Sequence, residues 1–176
     1  MTHTASPAAP EIRREDYLPF AWIVPQVALD FTLGIAATQV VATLSVARNP
    51  AAAASTTIRL NGDGLTPLAV KVDGEAVNSW VMEGDDLIVT LPGDQHVIEL
   101  TTSINPAANS QLMGLYASNG MLCTQCEAEG FRRITFFPDR PDVLSTYLVR
   151  MEGPKQAFPV LLSNGNCTAT GDGADG

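Results

Sequence analysis

Histidine, aromatic residues and positive charge are all scarce in this 176-residue chain. It has two histidines, 6% aromatic residues, and 10 Lys and Arg against 19 Asp and Glu, for a net charge of -9. That balance repels a phosphate backbone, and no Lys/Arg cluster forms a local basic patch, which excludes nucleic acid as a partner. His3 and His96 are too far apart to form a His-Glu-x-x-His helix, so the chain lacks the pair of imidazoles that holds catalytic zinc in a metalloprotease. A Gly-x-Ser-x-Gly elbow and a glycine-rich phosphate loop are absent as well. No apolar run approaches the roughly 20 residues needed to cross a bilayer. The first ten residues lack the basic-then-apolar pattern of a secretory signal. Three cysteines are an odd number in a chain too large to need stapling, which points to a reducing compartment and a cytoplasmic protein.

What is present is the size of one domain with 45% hydrophobic residues, enough to bury a core without disulfides or metal. Residues 1–15 are small, polar and Pro/Ala-rich and read as a flexible tail. From Val24 the pattern alternates: Val27, Leu29, Phe31 and Leu33 face one way, and Gln26, Ala28, Asp30 and Thr32 the other. After a turn near Gly34, residues 40–46 are β-branched and short-linked to the first run, so they pair back antiparallel. Strand-like runs follow at residues 57–60, 68–72, 79–82, 86–91 and 96–104. They are separated by Gly/Asp turns at Asn61-Gly62-Asp63-Gly64, Asp73-Gly74, Glu83-Gly84-Asp85 and Pro92-Gly93-Asp94. The fold class is therefore all-β, an antiparallel sandwich or meander. Residues 51–54, alanine-rich but flanked by Pro50 and Ser55-Thr56-Thr57, read as a loop.

Residues 105–130 change texture and read as one long irregular, functional loop. Strands return at residues 132–137 and 146–151. Residues 160–162 run into Asn164-Gly165, a hairpin turn with no returning strand after it, and residues 167–176 are a loose Gly/Asp-rich end. An unfinished hairpin points to a piece of a longer protein.

Cys123-x-x-Cys126 has the spacing of half a zinc site or a redox pair, but no second ligand pair accompanies it. Packing of two small sulfur side chains is the alternative, and the one the sequence favours. His96, within the alternation of 95–100, reads as an exposed or partly satisfied strand residue. Glu127 and Glu129 read, on their own, as solvated acidic residues.

The segment Leu122-Cys123-Thr124-Gln125-Cys126-Glu127-Ala128-Glu129-Gly130-Phe131-Arg132, followed by Asp139-Arg140-Pro141, resembles the N-terminal domain of bacterial aminopeptidase N, a zinc metalloaminopeptidase. The family pattern is Thr-Gln-x-Glu, an Arg five positions on, then Asp-x-Pro, and Thr124, Gln125, Glu127, Arg132, Asp139 and Pro141 fit it. Weaker similarity covers residues 16–166. The resemblance implies a saddle-shaped β-domain packed on the catalytic domain of the same polypeptide, with its Gln/Glu loop in the active-site cleft. It implies that Glu127 anchors the free α-amino group of a peptide and that Gln125 lines the pocket for the first side chain. Arg132, Asp139 and Arg140 are expected to brace the loop through ion pairs. The family's substrate loop and zinc motif lie further along than this chain reaches, so no metal site, no catalytic residue and no activity are expected here, and zinc belongs to the full-length enzyme. A stand-alone β-sandwich module binding peptide or carbohydrate is the competing expectation; the scarcity of aromatic platforms counts against it.

Overall fold

Alternation near Val27 becomes an 11-residue strand in the computed structural model, which describes residues 13–173. The tail reading falls mostly on residues 1–12, and the last three residues of the loose end likewise lie outside the described residues. Strand β1 (Trp22–Thr32) pairs antiparallel with β2 (Thr38–Arg48), joining Val27 to Leu44 and Phe31 to Val40. Then come β3 (Thr57–Leu60), β4 (Ala69–Val72), β5 (Glu75–Ala76), β6 (Trp80–Glu83), β7 (Asp86–Thr90) and β8 (Gln95–Ile104). The hairpin β9 (Gly114–Ser118) and β10 (Met121–Gln125) precedes the last strand, β11 (Thr146–Glu152). Residues 51–54 form a loop, as their flanking residues require.

Three sheets result, ordered β11-β1-β2-β8-β4-β5, β3-β7-β6 and β10-β9. Inward-facing Val27, Val40, Leu44, Ile98 and Leu100 of the large sheet share one core with Ile58, Leu60, Leu87 and Val89 of the three-stranded sheet, all 0% exposed. Outward positions carry ion pairs such as Lys71–Glu99 (2.7 Å) and Arg150–Asp30 (2.8 Å), the polar side of a one-sided sheet. Trp22 also ties the sheets directly, its indole N–H donating to the Thr57 carbonyl at 2.9 Å.

One extra residue in β1 explains how Trp22 and Val24 share a face with Val27. Between Ile23 and Gln26 the register slips by one, a bulge that resets the period-2 phase. Pro25, which has no N–H to give a ladder, sits in it. Two carbonyls there are taken by the Ser145 hydroxyl (to Val24, 2.6 Å), just before β11, and by the Thr146 hydroxyl (to Pro25, 3.0 Å), at its first residue. That strand runs parallel to β1, with Gln26 against Thr146 and Thr32 against Glu152, the one parallel pairing in a sheet otherwise antiparallel.

His96 lies on the inward side of β8 with its side chain 7% exposed and both nitrogens bonded. Nε2 accepts the Gly93 N–H at 3.0 Å, which leaves Nδ1 to donate to Asp73 Oδ2 at 2.7 Å. Asp73 and Gly74 have φ of 54° and 87°, the two positive values of a type I′ hairpin turn.

Three expectations are corrected. Residues 132–137 are no strand: Phe131–Arg133 is a 3-10 turn, and only Phe137 makes a β-bridge, to Asn61. Here the Arg132 N–H goes to the Asp139 carboxylate instead of a ladder, and Ile134, Phe136 and Phe137 are apolar because they are buried on all sides, not because they alternate. Residues 105–130 are not one irregular loop, since the β9–β10 hairpin fills their middle, turning at Asn119 and Gly120 with φ of 49° and 79°. Small and polar Gly114, Ala117, Ser118 and Thr124 hide that hairpin from a hydrophobicity pattern. Residues 160–162 form no strand; Val160 and Leu162 are 70% and 84% exposed. Prolines 154 and 159 restrict the backbone before them, and Pro154 closes a turn by accepting the N–H groups of Ala157 and Phe158.

Candidate functional site

Strand β10 ends at Gln125, opposite Gly114 of β9, and the chain then reverses within five residues. The reversal closes on itself: the Gly130 N–H donates to the Cys126 carbonyl at 2.8 Å. A methyl group on Gly130 would lie 2.6 Å from the Gln125 carbonyl oxygen and 2.7 Å from the Cys126 Cα, so the turn is this tight only with glycine there. Gly114 has φ of +74° and backs onto Arg133 from the hairpin side. Within the turn the Gln125 amide donates to the Glu127 carbonyl at 3.3 Å, and the Glu127–Ala128 peptide is cis. Gln125, Glu127, Ala128 and Glu129 are exposed, Cys126 is half-buried and Gly130 is buried.

Two carboxylates of this turn have different surroundings. Glu129 reaches forward to Arg132, with Oε1 3.2 Å from Nη2. The Glu127 carboxylate makes no hydrogen bond or ion pair with any described residue.

Arg132 is held from three sides. Its backbone N–H and its Nε both donate to Asp139 Oδ2, at 3.2 and 3.1 Å, and its Nη2 donates to the Asp139 carbonyl at 3.0 Å. These side chains are 21% and 13% exposed, a largely desolvated pair. Arg140 turns away. Its guanidinium forks onto Asp142 at 2.8 and 2.8 Å, donates to the Leu18 carbonyl at 2.9 Å and lies over the Phe20 ring. Tyr17 closes that cluster with a 2.9 Å bond to Asp142. The structure thus brings Arg132 and Asp139 together under the turn and places Arg140 on the segment that enters β1.

An aromatic row backs the turn: Phe131 meets Phe137 edge-on at 5.0 Å and Tyr147 of β11 at 6.0 Å. Three separate elements supply these rings, so no single strand of the sequence displays the cluster. Burial raises the Tyr147 hydroxyl above its ordinary pKa, opposed by a bond to Ser145 and reinforced by the charge of Asp139.

Burial, then the Asp139 charge, likewise raises the Cys126 thiol and disfavours the thiolate that a metal or redox partner needs. Cys123 lies within extended β10, so its Cα is roughly 9–10 Å from that of Cys126 at strand rise, beyond disulfide reach. All three cysteines are free. Among the described residues no three His, Cys, Asp or Glu side chains converge on a metal position, so this donor set does not fit zinc. Two clefts, of about 420 Å³ beside Arg48 and Asp94 and about 200 Å³ beside Tyr17 and Trp22, lie elsewhere, and neither is lined by Gln125 or Glu127. The turn therefore stands on the surface, with its carboxylate facing outward.

A family model described as the Peptidase M1 N-terminal domain matches residues 26–176. Aminopeptidase N of Caulobacter vibrioides is 44% identical over 158 residues, 89% of this chain and 18% of that protein. Aminopeptidase N of Escherichia coli is 38% identical over 159 residues, 90% of this chain and 18% of that protein. Among solved structures, Legionella pneumophila aminopeptidase A, crystallised in complex with aspartic acid, matches with a TM-score of 0.79 at 30% identity over 86% of this chain and 18% of that one. The M1 zinc metallopeptidase from Deinococcus radiodurans matches with a TM-score of 0.66 at 23% identity over 78% of this chain and 33% of that one, a likeness of fold alone. The chain spans 18% of the length of both aminopeptidase N relatives.

Proposed function

Because this chain belongs to the Peptidase M1 N-terminal domain family, we propose that it is one wall of the active-site cleft of a zinc aminopeptidase, which removes N-terminal residues from peptides. Glu127 receives the free α-amino group, and Gln125 lines the position of the first side chain. The single observation carrying this is the Glu127 carboxylate, which has no partner among the described residues and is presented on a turn whose neighbouring acid, Glu129, is already paired with Arg132. An ammonium enclosed in a cleft needs a charged acceptor, and a blocked N-terminus would leave this carboxylate desolvated and unpaired, which selects for exopeptidase substrates. The aspartic acid in the Legionella pneumophila relative carries the same kind of α-ammonium. Arg132 and Asp139 hold the turn in place.

Zinc and the hydrolytic step belong to the catalytic domain, since no metal-binding group forms among the described residues of this chain. Its further partner is the catalytic domain of the same polypeptide, which completes the pocket. Three free thiols support a cytoplasmic setting.

In an enzyme carrying this chain ahead of its catalytic domain, Glu127→Gln is expected to lower kcat/KM for an aminoacyl reporter by about thirtyfold or more, as for a lost charge pair worth ~2 kcal/mol. A rate constant within twofold of wild type would rule out the assignment. The purified 176-residue chain should show no chelator-sensitive cleavage of the same reporter.

A further inference from the structure

We propose that Asn61 is a positioning residue for the turn at residues 126–130, acting through Asp139 and Arg132; this rests on the role given to Glu127 above. Asn61 directly follows β3 of the three-stranded sheet, yet it is bonded to the segment behind the turn by main chain and side chain alike. Its backbone N–H donates to the Phe137 carbonyl at 2.8 Å, and its carbonyl accepts the Phe137 N–H at 3.1 Å. Its side-chain Oδ1 accepts the Asp139 N–H at 3.2 Å, and its Nδ2 donates to Asp86 Oδ1 at 3.2 Å. Asp86 is itself fixed by Arg59, whose Nη1 lies 3.0 Å from Oδ2.

Donors and acceptors thus alternate without a break. Arg59 donates to Asp86, which accepts from Asn61; Asn61 accepts from Asp139, whose carboxylate takes the backbone and Nε of Arg132; Arg132 then meets Glu129 in the turn. A second tie runs beside it, from the Asp63 N–H to the Arg132 carbonyl at 3.0 Å and from Arg133 Nε to Asp63 Oδ2 at 2.8 Å. An amide suits position 61, because it presents a donor to a carboxylate on one side and an acceptor to an N–H on the other. Aspartate there would face Asp86 with no proton to give, and leucine would satisfy neither neighbour. Gly62 locks the position, since a methyl group on it would lie 2.5 Å from the ring of the buried Phe136. The three-stranded sheet therefore sets where Asp139 sits, Asp139 sets Arg132, and Arg132 sets the turn that carries Glu127.

Amide hydrogen exchange on the whole ¹⁵N-labelled chain tests this. Asn61→Asp preserves shape, removes the donor and sets a second carboxylate against Asp86. It should reduce protection of the Gly130 and Arg132 amides by about tenfold or more, the scale of one net hydrogen bond, while the β2–β8 ladder changes by less than about twofold. Adding Asp86→Asn restores a donor to the pair from the other side and should return both amides to within about threefold of wild type. The proposal is overturned if Asn61→Asp leaves those amides unchanged, if the β2–β8 ladder loses protection in parallel, or if the double variant shows no recovery. Glu127→Gln should leave this protection intact, because its carboxylate makes no bond in the turn. Failure of the amine-binding role would therefore appear in the enzyme's kcat/KM and failure of the Asn61 role in exchange.

Discussion

Gly130 puts the tightest constraint on the turn, because any side chain there collides with backbone and not with a flexible tip. Gly130→Ala is expected to push the turn off the β9–β10 hairpin at a cost of about 1–3 kcal/mol. The urea midpoint should fall with its slope unchanged, and an unaltered midpoint would mean the turn relaxes without cost. At this scale the family resemblance, not the residues read by themselves, singles out Thr124, Gln125, Glu127, Arg132, Asp139 and Pro141, and the structure sets Arg132 on Asp139. Asn61 was legible only as part of a turn, because its side-chain partner Asp139 lies 78 positions away and no local pattern encodes that bond. Arg140 shows the converse. One residue beyond Asp139, it serves a different cluster, where Asp142 and the Leu18 carbonyl accept its N–H groups.

Strands with clear alternation were legible almost to the residue, as in β3 and β7, because a half-buried strand prints its period directly on the chain. Elements held by other means were not. The β9–β10 hairpin is built from small residues and a turn, and the 3-10 turn at Phe131–Arg133 follows from a side chain taking a backbone N–H. Turn chemistry makes the hairpin testable. Gly120 has φ of +79° and open space around its Cα, so Gly120→Ala introduces backbone strain and no clash. It should cost about 1 kcal/mol, seen as a lower melting temperature, whereas an equally stable variant would mean the turn can change type freely. The parallel placement of β11 was illegible for a related reason: its anchor is the pair of carbonyls at the β1 bulge, a feature of geometry and not of composition.

For the molecule as a whole, acidity is the lever that its charge distribution exposes. Bonds from the Val97 N–H and then His96 hold Asp73 below the ordinary aspartate pKa, and the Arg140 fork, then Tyr17, do the same for Asp142. In the unfolded chain both revert to about 3.9. The unfolded state therefore binds protons first as pH falls. The stabilisation is complete above that value and is lost on descending through the folded pKa values. Denaturant midpoints should decline from about pH 5 to pH 3, and Asp73→Asn, which tolerates the same left-handed turn, should flatten that decline. An unchanged slope would show that Asp73 carries none of it. The parallel pairing of β1 with β11 also orders events in time. Thr146 meets Gln26 across 120 residues of chain, while β1–β2, β6–β7 and β9–β10 close over short connections. Closing so long a loop is entropically costly before its contacts repay it, so docking of β11 belongs late on the folding route. Val149→Ala should accordingly speed unfolding by severalfold and leave the folding rate nearly unchanged. A slower folding rate would place β11 in the nucleus instead. Since the turn at residues 126–130 lies between β10 and β11, it joins a hairpin that closes early to a strand that docks late.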